Sequence, residues 1–149
     1  KAIEPARLVC RACGFVLFLD PKVAVGTIVV RDGHVLLIRR GIEPGYGRWV
    51  FPGGFVDRGE PLEEAAVREA LEESHVEVRI TRLLNVYSAA GSSVVVIVYV
   101  AEMIGGAAGA GDETLDAQWF PIRGIPWDEL AFPSTTLALR EYLSLPSSP

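Results

Sequence analysis

The sequence predicts an α/β sandwich built on a mixed β-sheet, and three observations carry that expectation. Runs of β-branched and apolar residues recur along the chain, two segments have helical character, and the two kinds alternate instead of segregating. The chain is also the right size for one core. At 149 residues and 50% hydrophobic, a single domain can bury a substantial interior.

Taken in order, Val23 to Val30 is β-branched and apolar, Asp32-Gly33 is a two-residue hairpin signal, and Val35 to Arg39 returns as a second strand. Gly41 to Gly47 reads as a loop and Trp49 to Phe51 as a short strand. Pro52-Gly53-Gly54 reads as a turn whose backbone can approach a ligand closely. Pro61 suits the first turn of a helix, and no glycine or proline interrupts Leu62 to Ser74. Val76 to Tyr87 and Val94 to Met103 are expected as two strands around Ala89-Ala90-Gly91, followed by a flexible stretch from Gly105 to Gly111. Gln118 to Pro121 adds a short strand, and a second helix is expected from about Ser134 to Leu143. Pro146 to Pro149 should fray, which makes 146–149 a disordered tail. There is no internal repeat.

The helix from Leu62 carries the chemistry. At about 100° per residue, Glu69 and Glu73 stand one turn apart on one row, with Glu72 about 60° round from Glu69. Three carboxylates can therefore converge on one cleft. Like charges at this spacing destabilise a bare helix, and a hard divalent cation reverses the sign: Mg2+ first, then Mn2+ or Ca2+. Arg68, beside Glu69 and one turn before Glu72, is suited to orienting these ligands, as is Glu60 at the positive end of the helix. A Glu-rich helix is otherwise a solvated face laced with ion pairs, and Glu64 with Arg68 fits that description. The wheel argues against it here. Leu62, Ala65 and Ala66 share the arc of Glu69 and Glu73 while Val67 and Leu71 lie opposite, so both flanks are apolar and both are expected to be covered.

Charge follows the same segment. The net charge is −5, yet Asp57 to Glu77 alone holds eight acids against two arginines, so the rest of the chain is close to neutral. A polyanionic substrate would approach only with its metal ions. No polymeric nucleic acid is expected as partner. No signal peptide is evident, and the longest apolar run, Val94 to Ala101, is too short to span a bilayer, so the expected location is the cytoplasm.

The run Gly54, five residues, Glu60, seven residues, then Arg68-Glu69-Ala70-X-Glu72-Glu73-X-X-Val76 resembles the Nudix box. That is the signature of hydrolases that cleave a nucleoside diphosphate linked to another group. The resemblance implies a Nudix-type α/β/α sandwich over 21–145 and Mg2+ held by Glu69, Glu72 and Glu73 with the carbonyl of Gly53. It also implies water activation by Glu69, Glu72 or Glu113, with Arg68 in the catalytic machinery. One position departs, because the family has glycine where this chain has His75. His can take the left-handed conformation that closes such a helix only at about 1 kcal/mol of steric cost. Glu113 enters because several family members carry an extra glutamate some forty residues beyond the box.

Outside the box, Arg39 and Arg40 end a strand near the site and are candidates for phosphate contact, as is Arg48. Tyr46, Trp49, Phe55, Tyr87 and Trp119 are candidates for stacking on a base, against the more ordinary role of packing. Cys10 and Cys13 form one Cys-X-X-Cys, which fits half a zinc ribbon, a redox motif or two thiols in a loop. Structural Zn2+ wants four ligands. With Gly14 and Asp20-Pro21-Lys22-Val23, the pair resembles the second half of the ribbon that precedes some Nudix domains, so 1–20 is read as a ribbon-like remnant.

That feature, Ile125 to Phe132, and Gly-X-Trp-X-X-Pro-Gly-Gly around Trp49 resemble the branch acting on ADP-ribose, FAD or NADH. A nucleotide-derived small molecule is thus the expected substrate, and homodimers occur among family members. Two alternatives stand beside this reading. One is a nucleoside triphosphate pyrophosphatase of the sanitising type, and the other is a Nudix-fold nucleotide-binding regulatory module without turnover.

Overall fold

A computed structural model describes residues 6–145; the expected tail at 146–149 lies outside the described residues. The chain opens with a small hairpin of two-residue strands, β1 (Leu8–Val9) and β2 (Val16–Leu17), paired antiparallel. The main sheet follows with β3 (Lys22–Arg31), β4 (His34–Arg40), β5 (Trp49–Val50), β6 (Gly53–Phe55), β7 (Val76–Tyr87), β8 (Val94–Gly106) and β9 (Thr114–Pro121). Helix α1 (Leu62–Ser74) lies between β6 and β7, and α2 (Pro133–Ser144) closes the chain. Short 3-10 turns at Ile122–Gly124 and Trp127–Glu129 lead into it.

The sheet is mixed, as expected. β3 runs parallel to β8 along nine residue pairs, Lys22 opposite Val94 through Val30 opposite Glu102, while its partners on the other edge are antiparallel. Asp32 and Gly33, with φ of 47° and 73°, form the tight turn that returns β3 into β4. The two strands then part. Past the turn, β6 pairs with β3 at Ala24 to Gly26 and β5 pairs with β4 at Ile38 and Arg39. This splaying delivers Gly53 and Gly54 to the middle of the sheet, so the segment read as a turn is a paired strand.

β3 and β4 are buried on both faces, with Ile28, Val29, Leu36, Leu37 and Ile38 inaccessible, which is why their sequences run apolar instead of alternating. A large apolar cluster joins these residues to Ala138 and Leu139 of α2. A smaller one seats Ala65 and Ala66 of α1 against Val25 and Tyr99. The two helices thus cover the sheet in an α/β sandwich.

Three further expectations about local structure need correction. Pro61 is the residue capping α1, not a member of its first turn. The far flank of α1 is open: Val67 is 36% and Leu71 46% exposed, because the arc through Ala65, Ala66 and Ala70 alone faces the sheet. β9 begins at Thr114, four residues before the expected strand, since its full length pairs with β4 from His34 to Arg40.

Candidate active site

Helix α1 projects its acids toward the strand segment that the splayed sheet presents. The Gly53 N–H donates to Glu73 Oε1 at 2.7 Å. Gly54 lies so close to Glu69 that a β-carbon there would stand 2.6 Å from its carboxylate. Gly54→Ala is therefore expected to push the Glu69 carboxylate aside while leaving the fold intact, because the obstructing atoms end a flexible side chain. Unchanged thermal stability with a fall in turnover of about tenfold or more is the expected pair of measurements.

Arg68 organises the acids around it. Its Nε and Nη2 donate to the two oxygens of Glu60 at 2.7 and 2.9 Å, and Nη1 donates to Glu69 at 2.9 Å and Glu72 at 3.2 Å. Such a planar fork gripping a carboxylate is geometry that lysine cannot supply. Glu60 is held down to about 2 by the Arg68 bond and by the Asp57 N–H. Burial first, and neighbouring carboxylates after it, act the other way on Glu69 and Glu73. Glu69 is raised by burial against the pull of Arg68. Glu73 is pushed up to about 8 by burial, a rise that the Gly53 N–H moderates and the charges of Glu69 and Glu113 reinforce.

The remaining candidates divide. Arg40 faces the site closely enough for its charge to lower the Glu73 pKa; its Nε donates to Pro44 O and its guanidinium lies 5.0 Å from the Phe132 ring. Arg39 donates through Nε to Gly47 O at 2.9 Å, so both arginines brace the loop 41–48. Trp49 packs edge-on against Phe120, with centroids 4.8 Å apart, and Tyr87 donates its hydroxyl to Glu141. Tyr46 and Phe55 are exposed. Glu113 lies near enough for its charge to act on Glu73. With φ of 58° it ends the loop after β8, and its carbonyl accepts from the Gly41 N–H at 2.9 Å. Thr114 Oγ1 donates at 3.0 Å to the carbonyl of Glu73 itself, a contact with no signature in the local sequence.

Among the described residues no three His, Cys, Asp or Glu side chains already form a cage for a metal ion. Glu69 and Glu72 spend oxygens on Arg68, and Glu73 spends one on Gly53. The donor set nonetheless fits a hard cation. All candidate ligands are oxygens, and the charge of Glu69 adds to the cost of ionising Glu73, which a divalent ion would offset. Cys10 and Cys13 are exposed free thiols, and no third ligand joins them among the described residues, so these residues do not complete a zinc site. The loop between them is a tight turn. Gly14 N–H donates to Cys10 O at 2.9 Å, and the Cys10 thiol is lowered by the N–H groups of Cys13 and Ala12.

Carboxylates gathered by one arginine on a helix thus stand opposite a Gly-Gly strand of a mixed sheet. The model of the NUDIX domain matches residues 20–139, and the chain belongs to that family and is a Nudix hydrolase. It is 41% identical over 120 residues to an ADP-ribose pyrophosphatase of Methanocaldococcus jannaschii, covering 78% of this chain and 70% of that protein. It is 34% identical over 119 residues to an NAD-capped RNA hydrolase of Chromobacterium violaceum, covering 78% of this chain and 44% of the relative. The crystal structure of a Nudix hydrolase from Nitrosomonas europaea superposes with a TM-score of 0.87 at 35% identity, covering 92% of this chain and 78% of that one. Among the described residues no helix is long and apolar enough to cross a membrane.

Proposed function

We propose that this hydrolase cleaves the diphosphate bridge of a nucleotide joined to another group, of the ADP-ribose, FAD or NADH kind, with Mg2+ or Mn2+ as cofactor. The observation that carries this reading is the Arg68 cluster beside Gly53 and Gly54, in a chain 41% identical to an ADP-ribose pyrophosphatase. Glu69, Glu72, Glu73 and the Gly53 carbonyl would hold the cation. When bound, it would neutralise the diphosphate oxygens and favour ionisation of the attacking water.

The protein's own groups supply the rest. Arg68 fixes the rotamers of Glu69 and Glu72, and its charge is itself satisfied by Glu60, so it orients the acids without competing for substrate phosphate. Arg40, placed beside Glu73 and stacked on Phe132, supplies positive charge to a phosphate oxygen. Glu113 accepts the proton of the attacking water. The water oxygen bonds to one phosphorus as the bridging P–O bond breaks, and two phosphomonoesters leave.

The test is a hydrolysis screen with Mg2+ and Mn2+ over ADP-ribose, FAD, NADH, diadenosine polyphosphates and nucleoside triphosphates. Preferred turnover of the first three, with AMP as a product, is expected. A preference for triphosphates would replace this substrate class with the sanitising one, and tight binding without turnover would replace it with a binding module.

A further inference from the structure

The box histidine, which stands where the family carries glycine, makes a contact that glycine cannot. His75 closes α1 in the left-handed conformation, with φ of 61°, and its N–H bonds to Leu71 O at 2.9 Å. Its imidazole Nε2 lies 2.8 Å from the carbonyl of Ala110, which can only accept, so the ring donates. That carbonyl belongs to the segment 107–113, which folds back over the helix end. Gly109 N–H donates to Ser74 O at 3.0 Å, Asp112 N–H to Glu72 O at 2.9 Å, and Thr114 Oγ1 to Glu73 O at 3.0 Å.

These bonds satisfy carbonyls that the last turn of a helix leaves unpaired. They also do something local capping does not require. They fasten the segment ending in Glu113 to the same turn that carries Glu72 and Glu73. The fit is close: a β-carbon at Gly111 would collide with the Glu72 carbonyl. Glu113 is then held from its far side by the Gly41 N–H.

We infer that His75 is a positioning residue, tethering the 107–112 loop through Ala110 so that Glu113 is presented to the carboxylates of α1. This rests on the role given to Glu113 in the reading above. A left-handed His at the end of a helix costs stability that Gly would recover. The side chain adds an exposed hydrogen bond to a segment whose backbone is also anchored at Gly109, Gly111, Asp112 and Glu113. His75→Gly should accordingly separate stability from activity.

The experiment is a double-mutant cycle on kcat with ADP-ribose and Mg2+, using H75G, E113Q and the double variant, beside thermal melts and amide hydrogen exchange. H75G is expected to melt at the wild-type temperature or above, to exchange faster at 107–112, and to lose about fivefold in kcat, the scale of one modest hydrogen bond, with little change in KM. In the E113Q background that loss should vanish, because the group being positioned is gone. An H75G protein with wild-type kcat beside an impaired E113Q would overturn this inference alone. So would a fivefold loss that persists undiminished in E113Q. Full activity of E113Q would instead remove Glu113 from the mechanism, and the inference with it.

Discussion

Replacing Glu73 or Glu69 with glutamine is expected to lower kcat by about a hundredfold or more while the protein stays folded. Glu73→Gln is the sharper of the two. Its amide oxygen can still accept the Gly53 N–H now bonded at 2.7 Å, so the junction of α1 with β6 survives. What is lost is the ability to carry a negative charge at a position beside Glu69. Glu69→Gln likewise keeps an acceptor for Arg68 Nη1 while removing one charge of the pair. The check combines steady-state turnover with calorimetric titration of Mn2+ into each variant. Weak metal binding together with lost turnover is the expected outcome, and wild-type activity in both variants would remove the carboxylates from the mechanism.

The acids can be found in the sequence because helical periodicity is a local property. Glu69, Glu72 and Glu73 fall on one side of a segment bounded by Pro61 and His75, and their spacing alone brings them together. The β3–β4 hairpin is equally legible, since Asp32-Gly33 encodes its turn in two residues. Contacts between distant segments are not encoded this way. Gly105 to Gly111 reads as flexible because glycine is permissive, yet the backbone of Gly109 and Asp112 caps α1 and Gly111 packs on it. There glycine serves close approach. Gly53 and Gly54 read as a turn for the same reason, and become a strand only because β3 and β4 splay apart to admit them.

Burial has a similar limit. The wheel shows which faces of α1 are apolar, but not that only one of them meets the sheet; Val67 and Leu71 stay open to solvent. Strands of two residues, such as β1 and β2, are too short for any periodicity to register. The arginines illustrate the last case. Arg39 and Arg40 are identical in type and adjacent, and their different tasks depend on loop carbonyls at Gly47 and Pro44 and on the Phe132 ring.

The metal-free protein is expected to lose stability as pH rises from about 5 to 9, and Mg2+ is expected to reverse that trend. In the fold Glu73 is pushed from 4.5 up to about 8, first by burial. Between those values the folded chain holds a proton that the unfolded chain has released, so raising the pH favours unfolding. Glu69, also raised, acts in the same direction. Glu60, lowered to about 2, acts oppositely but below 4.5: its stabilisation is lost only as pH falls through that lower window. In EDTA the wild-type melting temperature should therefore drop by roughly 5 to 10 °C across the upper range. E73Q, with no proton to lose there, should show a flatter profile and overtake wild type above pH 8. Metal binding needs the ionised carboxylate, so apparent Mg2+ affinity should climb by up to about tenfold per pH unit below 8. Titration in two buffers of different ionisation enthalpy should report close to one proton released near pH 7. A pH-independent melting temperature in EDTA, or metal binding without proton release, would show that Glu73 is already ionised in the free protein and that burial does not set its charge.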